Sequence, residues 1–189
     1  MAKKNLTTGE IEVLVEQAQD GDSASFAKLY DFFVDPIYRY VFFKVRKEDA
    51  LDLTENIFLK VWENLKSYRR VEGKNGFSSW VYRIAHNTVV DYYRLEKEYA
   101  ELDVNVPDGN RHNDPVTLTE QNLGRDTLKK AISKLKKVYQ QVILLKYINE
   151  LENHEIARVM SRSEGSVRIL KFRALRALKE VLENMRINY

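Results

Sequence analysis

The apolar positions of this chain recur at helical spacing, with no stretch of strand-like alternation. Ile11, Leu14, Val15 and Ala18 repeat at threes and fours behind Thr7 or Thr8 as a cap, which predicts a first helix closed by Gly21-Asp22-Ser23. Phe26, Leu29, Tyr30 and Phe33 predict a second over about residues 23–33. Asp35-Pro36 reads as a cap with proline in the first helical position, so a third helix is expected there. Its run of Ile37, Tyr38, Tyr40, Val41, Phe42 and Phe43 is too broad for one stripe and should be largely buried. Over residues 47–65, Leu51, Thr54, Phe58, Val61, Trp62 and Leu65 predict the buried face of a fourth helix, with Asp49, Asp52, Glu55, Asn56 and Lys60 off that face.

A polar loop, Ser67 to Ser79, leads into a helix from Trp80 to Arg94. There Ile84, Ala85, Thr88 and Tyr92 can face a core, while Trp80, Arg83, Asn87, Asp91 and Arg94 form a second band. Aromatic and basic side chains beside a loop rich in amides and hydroxyls are what a platform for unstacked bases needs. They also suit an ordinary core helix. From Leu95 to Arg125 the period fails around Pro107, Asp108-Gly109 and Pro115, as in a linker. Helical spacing returns through Leu128, Ile132 and Leu135, then through Val142, Ile143, Leu145 and Tyr147.

The last stretch organises the rest. Ile156, Ala157 and Met160 lie on one side of a short helix. Ser161-Arg162-Ser163 leaves room only for a tight turn, and a longer helix from about Glu164 carries Val167, Leu170, Ala174, Leu178 and Val181 as an apolar stripe. Two helices joined this way read as a helix-turn-helix, whose second helix enters the DNA major groove. Arg168, Ile169, Phe172, Arg173 and Arg176 point away from the stripe. Guanidinium groups can bridge phosphates or the O6/N7 edge of guanine, and Ile169 and Phe172 can meet thymine methyls or sugars. The fold class is therefore all-α, in two small helical domains: residues 1–94, a flexible acidic linker over 95–125, and a helix-turn-helix domain over 126–189.

Composition narrows the function. Hydrophobic residues make up 44% of the chain, enough for real cores, and cysteine is absent, which removes disulfides and thiolate zinc sites. Charge is balanced over residues 1–94, net negative by four over the linker and net positive by seven over 126–189. The positive end has the electrostatic footprint of a module that displaces counterions from DNA. His86, His112 and His154 lie in unrelated segments, and no phosphate loop or hydrolase elbow occurs. An enzyme is not expected, nor any catalytic residue, cofactor or metal. No apolar run approaches a membrane span, so a cytoplasmic protein without membrane insertion is expected.

Two motif sets, in order, resemble a known family. ALDLTENIFLKVWENL followed by FSSWVYRIAHNTVVDYYR, and then LKKAISKLKKVYQQVILLKYINELENHEIARVMSRSEGSVRILKFRALRAL, are similar to bacterial sigma factors of the extracytoplasmic-function, group 4 type within the sigma-70 family. The resemblance implies an alternative sigma factor that binds core RNA polymerase and directs promoter-specific initiation. Core binding, at the β′ clamp region and β flap, would use Asp49, Asp52, Leu53, Thr54, Asn56, Ile57, Phe58 and Lys60. The promoter −10 strand would be held by Lys74, Asn75, Phe77, Ser79, Trp80, Arg83, Asn87, Asp91 and Arg94. The −35 duplex would be read by Arg162, Ser163, Ser166, Arg168, Ile169, Phe172, Arg173 and Arg176. An anti-sigma factor covering the apolar and basic faces would be a further partner. This chain departs from the family pattern at Asn56, at Lys136 where proline is frequent, and at Ile169-Leu170, which leaves the −35 sequence unread. The rival reading is a helix-turn-helix regulator that acts without polymerase, normally as a dimer on a palindrome.

Overall fold

The computed structural model describes residues 6–70, 76–102 and 120–187, and among these there is no strand. The first half holds α1 (Thr8–Gln19), α2 (Ser23–Phe42), α3 (Ala50–Asn64) and α4 (Gly76–Leu102). The second holds α5 (Glu120–Ser133), α6 (Lys137–Ile143), α7 (Asn153–Val159) and α8 (Glu164–Ile187). Thr7 caps α1 in a full capping box with Glu10. Gly21, at φ 101°, supplies the left-handed turn that ends it, and Asp22 caps α2.

Two expectations need correcting. The helices expected over 23–33 and after Pro36 are one helix, α2, with Pro36 inside it. Proline forfeits a backbone bond there, but Leu29, Phe33, Ile37, Tyr40 and Val41 stay on one buried face across it, and that packing keeps the helix continuous. The linker expected over 95–125 is helical at both ends, since α4 runs to Leu102 and α5 begins at Glu120; its middle lies outside the described residues. The helical spacing expected to Ile148 is met, with α6 passing into a π-helical segment, Leu144–Ile148, whose Leu144 and Leu145 are buried.

In the first half α1 packs on α2, α2 on α3, and α3 on α4. In the second α6 and α7 both pack on α8. The halves also meet, with α7 lying against α4 and the π-helical segment touching α2, so the buried side chains form one connected cluster. No helix among the described residues is long and apolar enough to cross a membrane.

Candidate polymerase and promoter surfaces

On α3 the buried face is Ala50, Thr54, Ile57, Phe58 and Val61, continued by Leu65. Of the residues expected at core polymerase, Thr54, Ile57 and Phe58 are therefore inside the protein and offer no surface. The Thr54 hydroxyl donates to the Ala50 carbonyl at 2.7 Å, and Phe58 meets Tyr30 edge to face. Asp52 and Asn56 are exposed, and Leu53 is half-buried. Lys60 is half-buried and lies 3.9 Å from Asp91. Asp49, just before α3, accepts from Tyr92 at 2.6 Å and from Arg46 at 2.7 Å. Partial burial raises its carboxyl pKa, but these two donors outweigh that and hold it below the usual range.

Leu51 and Trp62, expected in the core, are instead 58% and 45% exposed, and Leu59 is 62% exposed. With exposed Glu55 they form a stripe at spacings of four, four and three, roughly a third of a turn around from the buried face. Sequence reading placed Glu55 off the buried face but did not single out Leu59. The signal was there, because this helix is apolar over too much of its circumference for one core.

The first turn of α4 is buried, so Phe77 and Ser79 face the interior and cannot hold a DNA strand from there. Lys74 and Asn75 lie outside the described residues. Half-buried Trp80 stacks in an aromatic trio with Tyr68 and Phe77, at ring separations of 5.4 and 5.5 Å. Arg83, Asn87 and Arg94 are exposed along one side of α4. Asp91 pairs with Arg94 at 3.5 Å as well as with Lys60, so its charge is met within the protein.

The helix-turn-helix turn is built from backbone. Arg162 N–H donates to the Ala157 carbonyl at 2.8 Å, Ser161 takes the left-handed conformation at φ 51°, and Ser163 Oγ accepts from Ser166 N–H at 3.2 Å to cap α8. Val167 and Ala174 are fully buried, which turns the opposite face outward. On that face Phe172 is 71% and Ile169 55% exposed, beside exposed Arg168, Arg173 and Arg176. Arg168 reaches Glu164 at 4.0 Å and Arg176 reaches Glu180 at 3.2 Å, both one turn away along the helix. Such surface pairs are weak and are readily exchanged for phosphate. Arg162 and Ser163 are exposed at the turn and Ser166 is half-buried.

Protein-family models match both halves in order: sigma-70 region 2 over residues 29–98 and sigma-70 region 4 over 125–178. The chain belongs to the sigma-70 family, as a member of its extracytoplasmic-function (ECF) type. It is 31% identical over 172 residues to the ECF RNA polymerase sigma factor BldN of Streptomyces coelicolor, covering 89% of this chain and 64% of that relative's length. It is 29% identical over 189 residues to the ECF RNA polymerase sigma factor SigW of Bacillus subtilis, covering 93% of this chain and 98% of the relative. Among solved structures, the fold is similar to the sigma factor RpoE in complex with the anti-sigma factor NepR from Bartonella quintana, with a TM-score of 0.69, 19% identity, and 84% and 96% of the two chains covered. In this sigma factor the region 2 match ends within α4, and the region 4 match takes in the helix-turn-helix.

Proposed function

We propose that this chain is an alternative sigma factor that carries core RNA polymerase to a set of promoters, reads their −35 element as duplex and holds their −10 element as an opened strand. The reading rests on one observation: region 2 and region 4 matches occur in order on a chain whose α8 presents Arg168, Ile169, Phe172, Arg173 and Arg176 outward. The core would meet Asp52, Leu53, Asn56 and Lys60, with the Leu51, Leu59 and Trp62 stripe supplying the apolar contact that a stable protein interface needs. The −10 strand would lie along Trp80, Arg83, Asn87 and Arg94. Holding unstacked bases offsets an opening cost of a few kcal/mol per step, which requires aromatic and polar partners together. The site would be in the cytoplasm, where polymerase is, and no catalytic role is assigned to any residue. An anti-sigma factor would cover the same apolar and basic faces.

Run-off transcription with purified core polymerase on a genomic promoter library tests this directly. Start sites that appear only when the protein is added support the reading. DNA binding without starts returns the protein to the class of polymerase-independent regulators. Within it, Arg168→Ala should weaken −35 duplex binding while Trp80→Ala mainly impairs strand opening; equal effects on both steps remove that division of labour.

A further inference from the structure

Where the two halves meet lies a solvent-open cleft of about 530 Å³. Its polar wall is Arg83, His86 and Asn87 from α4, Lys137 and Gln141 from α6, and Arg162 from the turn before α8; no carboxylate lines it. Three full positive charges thus come from three separate elements. None is ion-paired with a carboxylate among the described residues: Arg83 donates to a backbone carbonyl, and Lys137 lies over the Tyr93 ring at 4.9 Å. Further positive charge lies close by. Lys44, near Lys137, is held down to about pKa 8 by burial and by that neighbouring charge. His86 Nδ1 lies 3.1 Å from Gln141 Nε2 at the same wall. All three wall cations are exposed, so their mutual repulsion is felt through water and opposes closure only modestly. An anion seated in the space between them would offset that repulsion.

We propose that this cleft binds a small polyphosphate, inorganic or carried by a nucleoside, and that the bound anion holds the two halves together. Guanidinium groups take phosphoryl oxygens in pairs, and an ammonium adds a third direction of donation. The volume is within the range of small-ligand sites and exceeds what one phosphate fills. The wall that would hold the anion includes Arg83, Asn87 and Arg162, residues assigned above to promoter contacts. Anion binding and promoter engagement therefore oppose one another, and the opposition is reciprocal; this consequence, unlike the binding itself, rests on the sigma reading.

Inorganic tripolyphosphate is titrated calorimetrically into the full chain, with ATP and GTP as parallel arms. The chain has no cysteine, so Lys28→Cys/Lys179→Cys takes dyes at two chosen points, one in each half, for an energy-transfer readout. Binding at one site per chain, weakened at least tenfold by Lys137→Gln and unchanged by Arg173→Ala, with energy transfer rising as the site fills, is the expected result. Equal affinities for tripolyphosphate and the nucleotides assign recognition to the phosphates alone, whereas tighter nucleotide binding adds contact with the base or sugar. No heat at millimolar ligand overturns the proposal. So does binding that Arg173→Ala removes and Lys137→Gln leaves intact, which would place the anion on the outer face of α8. None of these measurements involves polymerase, so failure of the sigma reading in transcription would be seen separately.

Discussion

Arg83 donates through Nη2 to the Arg158 carbonyl at 2.9 Å, and the same carbonyl accepts the Ser161 N–H at 3.3 Å. A guanidinium assigned to the opened −10 strand is thus tied to the end of α7, where exposed carbonyls favour a positive charge. In this closed arrangement one N–H of Arg83 is already taken, which draws the guanidinium toward α7. Arg83→Ala should therefore have opposite effects in two assays. The free chain should loosen, read as a larger radius of gyration in solution scattering. Promoter opening with polymerase should fall about tenfold, the size of one charged hydrogen bond. A variant that loosens but opens promoters normally would confine Arg83 to holding the halves together.

Neighbouring residues of α3 should separate stability from polymerase binding. Ile57 is fully buried, so Ile57→Ala should cost about 2–5 kcal/mol in denaturant unfolding. Leu59 is 62% exposed, and Leu59→Glu should change stability by no more than about 0.5 kcal/mol while sharply weakening capture of core polymerase. Normal capture by Leu59→Glu would move the interface to the Asp52, Asn56 and Lys60 side of the helix.

The helix-turn-helix offers a parallel pair. Ile156 of α7 is fully buried and its change to alanine should destabilise by about 2–5 kcal/mol. Phe172, the most exposed of the large apolar side chains described, should tolerate alanine within about 0.5 kcal/mol. The −35 duplex affinity of Phe172→Ala, measured by fluorescence anisotropy, should nonetheless fall, because nothing in the protein covers that ring. Unchanged affinity would leave duplex reading to the arginines alone.

These contrasts also show what local sequence could reveal. The stripe Val167, Leu170, Ala174, Leu178 and Val181 was legible because its spacing admits one inward face, and that fixed the outward residues of α8. On α3 two apolar stripes compete. Nothing local says that Ala50 and Ile57 go in while Leu51 and Trp62 stay out; the packing of α2 and α4 decides it. Asp35-Pro36 carries the signature of a helix start, and it was overridden by burial of Ile37, Tyr40 and Val41 on the face already begun by Leu29 and Phe33. The end of α4 was missed because its last turns are polar, with Arg94 lying 3.9 Å from Glu98 on the exposed side and no core period to read. Contacts between the halves, such as Arg83 with Arg158, join residues 75 apart and leave no trace in spacing.

Lys44 makes the closed fold sensitive to pH. Its ammonium lies 5.2 Å from the Tyr40 ring centroid, and burial, with Lys137 second, lowers its pKa from 10.5 to about 8. The positive charges facing it include Lys137 from α6, while neutral His86 lies nearby on α4 and is itself held down by burial and by Lys44. Between pH 8 and 10.5 the unfolded chain keeps a proton at Lys44 that the fold has released, so stability should rise with pH across that window. Below pH 8 both states are protonated and the penalty is fully present. Burial raises the Tyr40 and Tyr82 pKa values, and above pH 10 the unfolded phenols ionise first, which reverses the trend. Urea unfolding at pH 7.5, 8.5 and 9.5 should show a gain on the order of 1–2 kcal/mol. Lys44→Met removes the titrating group while keeping the stem, so its profile should be flat where the parent rises; an equal rise in both would assign the titration to another group.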